Sequence, residues 1–186
     1  ASSRDPAEPV ANLWAEQTHG ATGARCSDGA GGTATLGSAG ACYGGQRGAQ
    51  SDDLTSLASA EHVTGVTVAG ADVTGIDFGF SFKVVTTARD GDDDGAAANR
   101  WVQGSLRQFL QNSNAIGVAD AMRFVPSVAT NASGGGGNWW QVALTGTTLP
   151  VISDAGTTVD GTAYCAWTNG TQGCTALTQV RDPNPG

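Results

Sequence analysis

Between residues 75 and 84 the chain alternates strictly. Ile76, Phe78, Phe80, Phe82 and Val84 occupy one phase, and Gly75, Asp77, Gly79, Ser81 and Lys83 the other. A period of two predicts a β-strand with one buried and one open face. Upstream, residues 62–68, from His62 to Val68, read as another strand. The period changes after residue 104. Leu106, Phe109 and Leu110 fall on one side behind Ser105, which predicts a short amphipathic helix over 105–112 with Ser105 as its N-cap. Ser51 followed by Asp52 and Asp53 predicts a second helix start, with Leu54, Leu57 and Ala58 sharing a face. From Ala121 onward short strands alternate with turns. They are Met122–Val125 stopped by Pro126, Trp140–Leu144 after a glycine loop, Leu149–Ile152, and Thr157–Gly161. Strand starts recur at roughly 16–20 residues with Asn, Asp and Gly at the corners, a spacing that suits both the coils of a parallel β-solenoid and a β-sandwich.

Composition narrows the choice. Leu, Ile, Val and Phe make up about 17% of the 186 residues, below the ~20% that marks weakly folding chains. Glycine, at 28 residues, is about twice its usual ~7% share. A large helical core is excluded, and an all-β protein with thin cores remains. The chain divides into a Gly-rich arm and β-sandwich-like module at 1–88, an acidic linker at 89–100, and a capping helix with a short β-solenoid at 101–186.

The charge is −8, with 17 acids, 9 bases and a single lysine, Lys83. An acidic chain of this kind lacks the basic footprint needed for nucleic acid or an anionic membrane. No apolar run approaches the ~20 residues of a membrane span. The start at Ala1 without methionine reads as a processed chain.

Cys26, Cys42, Cys165 and Cys174 lack CxxC spacing, and only His19 and His62 would join them in a zinc site. Four cysteines allow three connectivities. The economical one is Cys26–Cys42 and Cys165–Cys174, each in Gly/Ser/Thr-rich sequence where a staple helps most. Disulfides place the chain outside the cytosol; four free thiols would place it inside.

Three segments resemble a known arrangement. Residues 72–80 (DVTGIDFGF) are similar to the closing strand of prealbumin-like modules in bacterial surface proteins. Residues 104–114 (GSLRQFLQNSN) and 149–161 (LPVISDAGTTVDG) resemble the opening of right-handed parallel β-helix domains in large secreted bacterial proteins. The resemblance spans roughly residues 60–164 and implies an architecture rather than an activity: a sandwich-like module followed by a short right-handed parallel solenoid capped by one helix. Such helices run for many coils, whereas this sequence stops at Gly186. The expectation is either a fragment or a solenoid covered by another copy, by head-to-tail stacking or strand exchange.

Chemical sites are sparse. Asp90, Asp92 and Asp94 before Gly95 fit the first half of a calcium loop. Trp101 stands where an EF-hand needs its bidentate Glu, and a solvated acidic linker explains the same residues. Trp139, Trp140, Trp101 and Trp167 are candidate contact aromatics, for sugar stacking, for subunit contacts or as core filling. Asn131 and Asn169 begin glycosylation sequons. Asp154 and Asp160 read as turn residues rather than a catalytic pair, and G-x-S-x-G is absent. These readings converge on a non-enzymatic extracellular structural protein, a self-assembling subunit of a bacterial surface or matrix fibre. The alternative is an adhesive or carbohydrate-binding module of a larger surface protein. Calcium is the one cofactor expected; homo-oligomers and glycans are the partners expected.

Overall fold

The computed structural model describes residues 13–27, 33–44, 63–90, 104–135, 137–144, 148–160, 167–168 and 171–172. Those residues form mostly short strands with one helix and no closed barrel. The predicted helix start at Ser51, Cys165 and Cys174, Asp92 and Asp94, Trp101 and Asn169 lie outside the described residues.

Strand β1 (Glu16–Gly20) is the centre of a three-stranded antiparallel sheet, between β4 (Gly40–Ala41) and β5 (Gly79–Ser81). Its register to β5 shifts between Gln17 and His19. Strands β2 (Arg25–Ser27) and β3 (Thr33–Thr35) pair antiparallel beside it. Here Ala24, Cys26, Leu36 and Cys42 form a small core, with Ala41, Tyr43 and Phe78 against it. Cys26 and Cys42 sit at disulfide distance, their Cα atoms 5.2 Å apart, both fully buried.

The second half is built differently. β6 (Val84–Val85) runs parallel to β7 (Arg123–Phe124), and Ala121 bridges Thr158, again in parallel. The amide of Arg123 donates to Lys83 O at 2.8 Å, that of Val125 to Val85 O at 2.9 Å, and that of Met122 to Thr158 O at 2.9 Å. Three stretches far apart in sequence therefore lie side by side in one direction.

Helix α1 (Leu106–Ile116) packs across this ladder. Ser105 is extended, and its hydroxyl accepts the amide of Gln108 at 3.0 Å, so one orphan donor of the first turn is satisfied. Gly117 ends the helix at φ 69°, its amide donating back to Ser113 O. Phe109 and Leu110 are buried against Val85, Met122 and Phe124, with Leu106, Trp140 and Leu149 around them.

Several predicted strands are not strands. Residues 63–77 form no strand with any described residue, bend at Gly70–Ala71 with Gly70 and Gly75 at positive φ, and are all exposed from 65 to 77. The alternation at 75–84 survives as two short pieces, β5 and β6, because only these find partners among the described residues, and its apolar phase is not a buried face, Ile76 and Phe80 being exposed. Trp140–Leu144 and Leu149–Ile152 likewise join no ladder among the described residues. The strand pair in that region is instead β8 (Ala132–Gly134) with β9 (Gly137–Trp139), closed on the glycine loop. Strands β10 (Trp167–Thr168) and β11 (Thr171–Gln172) form a last antiparallel pair.

Candidate functional site

The helix and the parallel ladder share an apolar groove of about 180 Å³ lined by Val85, Leu106, Met122, Phe124, Trp140, Val142 and Val159. Each wall has a local cause. Val85 and Phe124 come from adjacent parallel strands, and Leu106 opens α1. Val142 and Val159 come from extended stretches outside the ladder's core. Trp140 is fixed by its indole, which donates to Val128 O at 2.8 Å. Its ring meets Phe124 edge-on, 6.2 Å between centroids. Beyond the groove Val151 is 84% exposed and Leu144 and Ile152 are also exposed, as is Val159 in the groove wall itself. Asn114 clips this outer loop to α1. Its side-chain amide donates to Val151 O, and its carbonyl oxygen accepts the amide of Ser153, both at 2.8 Å.

Around the groove, polar side chains are buried and engaged. Arg107 Nε and Nη2 donate to the two carboxylate oxygens of Asp90 at 2.7 and 3.0 Å, and Nη1 donates to Thr148 O at 2.8 Å. Both side chains are almost fully buried. This fork-to-fork geometry is the strongest form of the Arg–carboxylate pair. The first acid of the predicted calcium loop is thus held by a guanidinium. Among the described residues, no three His, Cys, Asp or Glu side chains converge on a point where a cation could sit.

A second network joins β1 to the ladder. The Glu16 carboxylate is buried; it accepts the amide of Gln17 at 2.7 Å and the Thr86 hydroxyl at 3.2 Å. Gly104 sits against it at φ 73°, where a Cβ would collide with both Thr86 Oγ1 and Glu16 Oε2, so only glycine fits there. Ser27 donates from its hydroxyl to Ser127 O, while the Ser127 hydroxyl donates to Gly44 O at 2.8 Å and lies within reach of Thr86 O at 3.2 Å. Lys83 places its ammonium 2.8 Å from Asp120 Oδ1 and donates to Ala119 O at 3.4 Å. The Asp120 carboxylate is buried and accepts no hydrogen bond from the described residues, so its tie to Lys83 is ionic. Spacing gave no hint of this pair, or of Arg107–Asp90; their partners meet only through the fold.

The remaining candidates do not assemble into one surface. Trp139 is exposed, its ring over Gly134, whereas Trp140 is half-buried in the groove wall. Trp167 is placed only as part of β10. Asn131 is exposed, and its side chain pairs with both backbone groups of Gln141. Asp154 accepts the Thr157 hydroxyl at 3.1 Å, the local turn bond expected of it. His19 is an exposed residue of β1. Among the described residues no helix is long and apolar enough to cross a membrane. Comparison of the chain with protein-family models, curated proteins and solved structures finds no significant match.

Proposed function

We propose that this chain is a non-enzymatic extracellular structural protein, a self-assembling subunit of a bacterial surface or matrix fibre. In this reading a sandwich-like module around β1 leads into the first coils of a right-handed parallel β-solenoid. The observation that carries it is the open apolar groove where α1 and the parallel ladder meet. Parallel strands occur almost only where both faces are covered, and solenoid coils bury their surface on neighbours. An apolar groove with Val159 of its wall exposed, next to exposed Val151 and Ile152, therefore calls for a neighbouring surface. Heterologous contacts that do not close into a ring grow into filaments. The buried Cys26–Cys42 pair fits an oxidising space outside the cell.

Negative-stain microscopy of the purified, non-reduced chain tests the reading. Filaments or regular stacks are expected. A field of uniform single particles at high protein concentration would reject it.

A further inference from the structure

Lys83 is the one lysine of the chain. Its side chain is 42% exposed, whereas that of Asp120, 2.8 Å away, is 1% exposed. Neither carboxylate oxygen of Asp120 accepts a hydrogen bond from a described residue, so among those residues the ammonium alone compensates this buried charge. A buried carboxylate that loses its counter-charge is strongly destabilising. The pair stands at the entry of the parallel ladder. The backbone of Lys83 is held there independently of its side chain, since Lys83 O accepts the Arg123 amide at 2.8 Å. Asp120 has a second task. Its backbone carbonyl accepts the Thr158 amide at 2.7 Å, and Met122 donates to Thr158 O at 2.9 Å. Gly156 lies against Ala119, where a Cβ would come within 3.2 Å of the alanine Cβ. The Thr158 stretch is the outer one: Gly156, Thr158 and Val159 are exposed, and Val159 is a wall of the groove. Exposed backbone held by few hydrogen bonds belongs to the low-stability end of a fold. One residue thus carries both a charge that needs Lys83 and a carbonyl that holds Thr158.

We propose that Lys83 is a modification site and a charge-reading latch: acylation of its amine by an activated acyl donor, a thioester, releases residues 156–159 from the ladder and opens the groove wall. The lysine nitrogen sheds one proton to solvent and attacks the acyl carbon. The C–N bond forms, the C–S bond breaks, and the sulfur leaves with the electron pair as a thiolate. Loss of a second proton leaves a neutral amide where the ammonium stood. The Asp120 carboxylate then has no counter-charge and turns outward for water. Its backbone carbonyl moves with it, away from the Thr158 amide. The pairing of β6 with β7 keeps its own backbone hydrogen bonds, so the outer stretch is the part that lifts.

A single lysine makes the test clean, because an amine reagent reaches Lys83 and the α-amino group alone. The full, non-reduced chain is acetylated with N-hydroxysuccinimidyl acetate, which removes the charge, or reductively dimethylated, which keeps it. Residue-resolved amide exchange is then read by NMR. Acetylation should speed exchange at Thr158 and Met122 by about tenfold or more, while Phe109, whose amide donates to Ser105 O inside α1, is unchanged. Dimethylation should leave all three as in the untreated chain. Lys83→Arg, acetylated at the α-amino group only, should also match the untreated chain. In Asp120→Asn no charge is left to strand, so acetylation should accelerate nothing. Equal exchange at Thr158 after acetylation and dimethylation overturns the latch. So does an undiminished response in Asp120→Asn. Acceleration at Phe109 as large as at Thr158 would show a general loss of stability and overturn it as well.

Discussion

Asn112 holds the backbone of Trp14 at both ends. Its side-chain oxygen accepts the Trp14 amide at 3.0 Å, and its Nδ2 donates to Trp14 O at 2.8 Å and to Phe82 O at 3.1 Å. A helix side chain thus acts as one rung of a sheet for the stretch leading into β1. This ties α1 to the sheet and, with Glu16–Thr86 and Ser27–Ser127, makes the two halves mutually dependent. Asn112→Ala leaves these backbone groups short of partners, at a cost of about 3 kcal/mol. Differential scanning calorimetry should show Tm lower by roughly 6–12 °C for a chain of this length, in one transition. Two separate transitions in the wild type would contradict the coupling.

Arg107 and Asp90 make a second test, because both are buried. Removing one partner strands a charge: Arg107→Met should cost about 3–5 kcal/mol by urea unfolding. Replacing both, as Arg107→Met/Asp90→Leu, should recover most of that loss, since a buried pair is often no better than apolar residues of similar volume. A single variant as stable as the wild type would show that the pair does not hold in solution.

The helix was legible because its signals are local. Ser105 as cap and Leu106, Phe109 and Leu110 as stripe lie within one turn or two, and the structure adds only a C-terminal extension to Ile116. The buried polar face of the same helix was not legible. Arg107, Gln108, Asn112 and Ser113 are buried because Asp90, Trp14 and other distant groups satisfy them, and no spacing within the helix encodes those partners. The alternation at 75–84 predicted one strand with one buried face, and the structure does not keep it, since Ile76 and Phe80 of the apolar phase are exposed and pairing needs a neighbour. Only Gly79–Ser81 and Val84–Val85 have one within the described chain. The cysteine pair 26–42 followed from sequence economy and is met. The calcium loop rested on three alternate aspartates, and the one described, Asp90, is engaged by Arg107.

Reduction probes the cysteine pair. A link closing a loop of 16 residues stabilises by about 3 kcal/mol, through the smaller freedom of the unfolded chain. Dithiothreitol, or Cys26→Ala/Cys42→Ala, should lower Tm by roughly 6–12 °C. Native-state hydrogen exchange should show the first losses at β2 and β3. Equal melting with and without reductant would mean that the pair is not closed.

Tyr43 sets an alkaline limit. Its phenol packs against the small core, and burial raises its pKa above 10.0. The folded state therefore holds its proton where the unfolded chain would release it. The associated stability is present below pH 10 and is lost as pH rises past the unfolded value toward the folded one. Tyr43→Phe should flatten that alkaline decline in thermal melts from pH 9 to about 11. A decline of the same steepness would assign it to other groups.

Self-assembly is tested most directly by native mass across a concentration series of the non-reduced chain at neutral pH. The expected result is a ladder of multiples of 18.6 kDa that lengthens with concentration. A single 18.6 kDa species up to the solubility limit would contradict it.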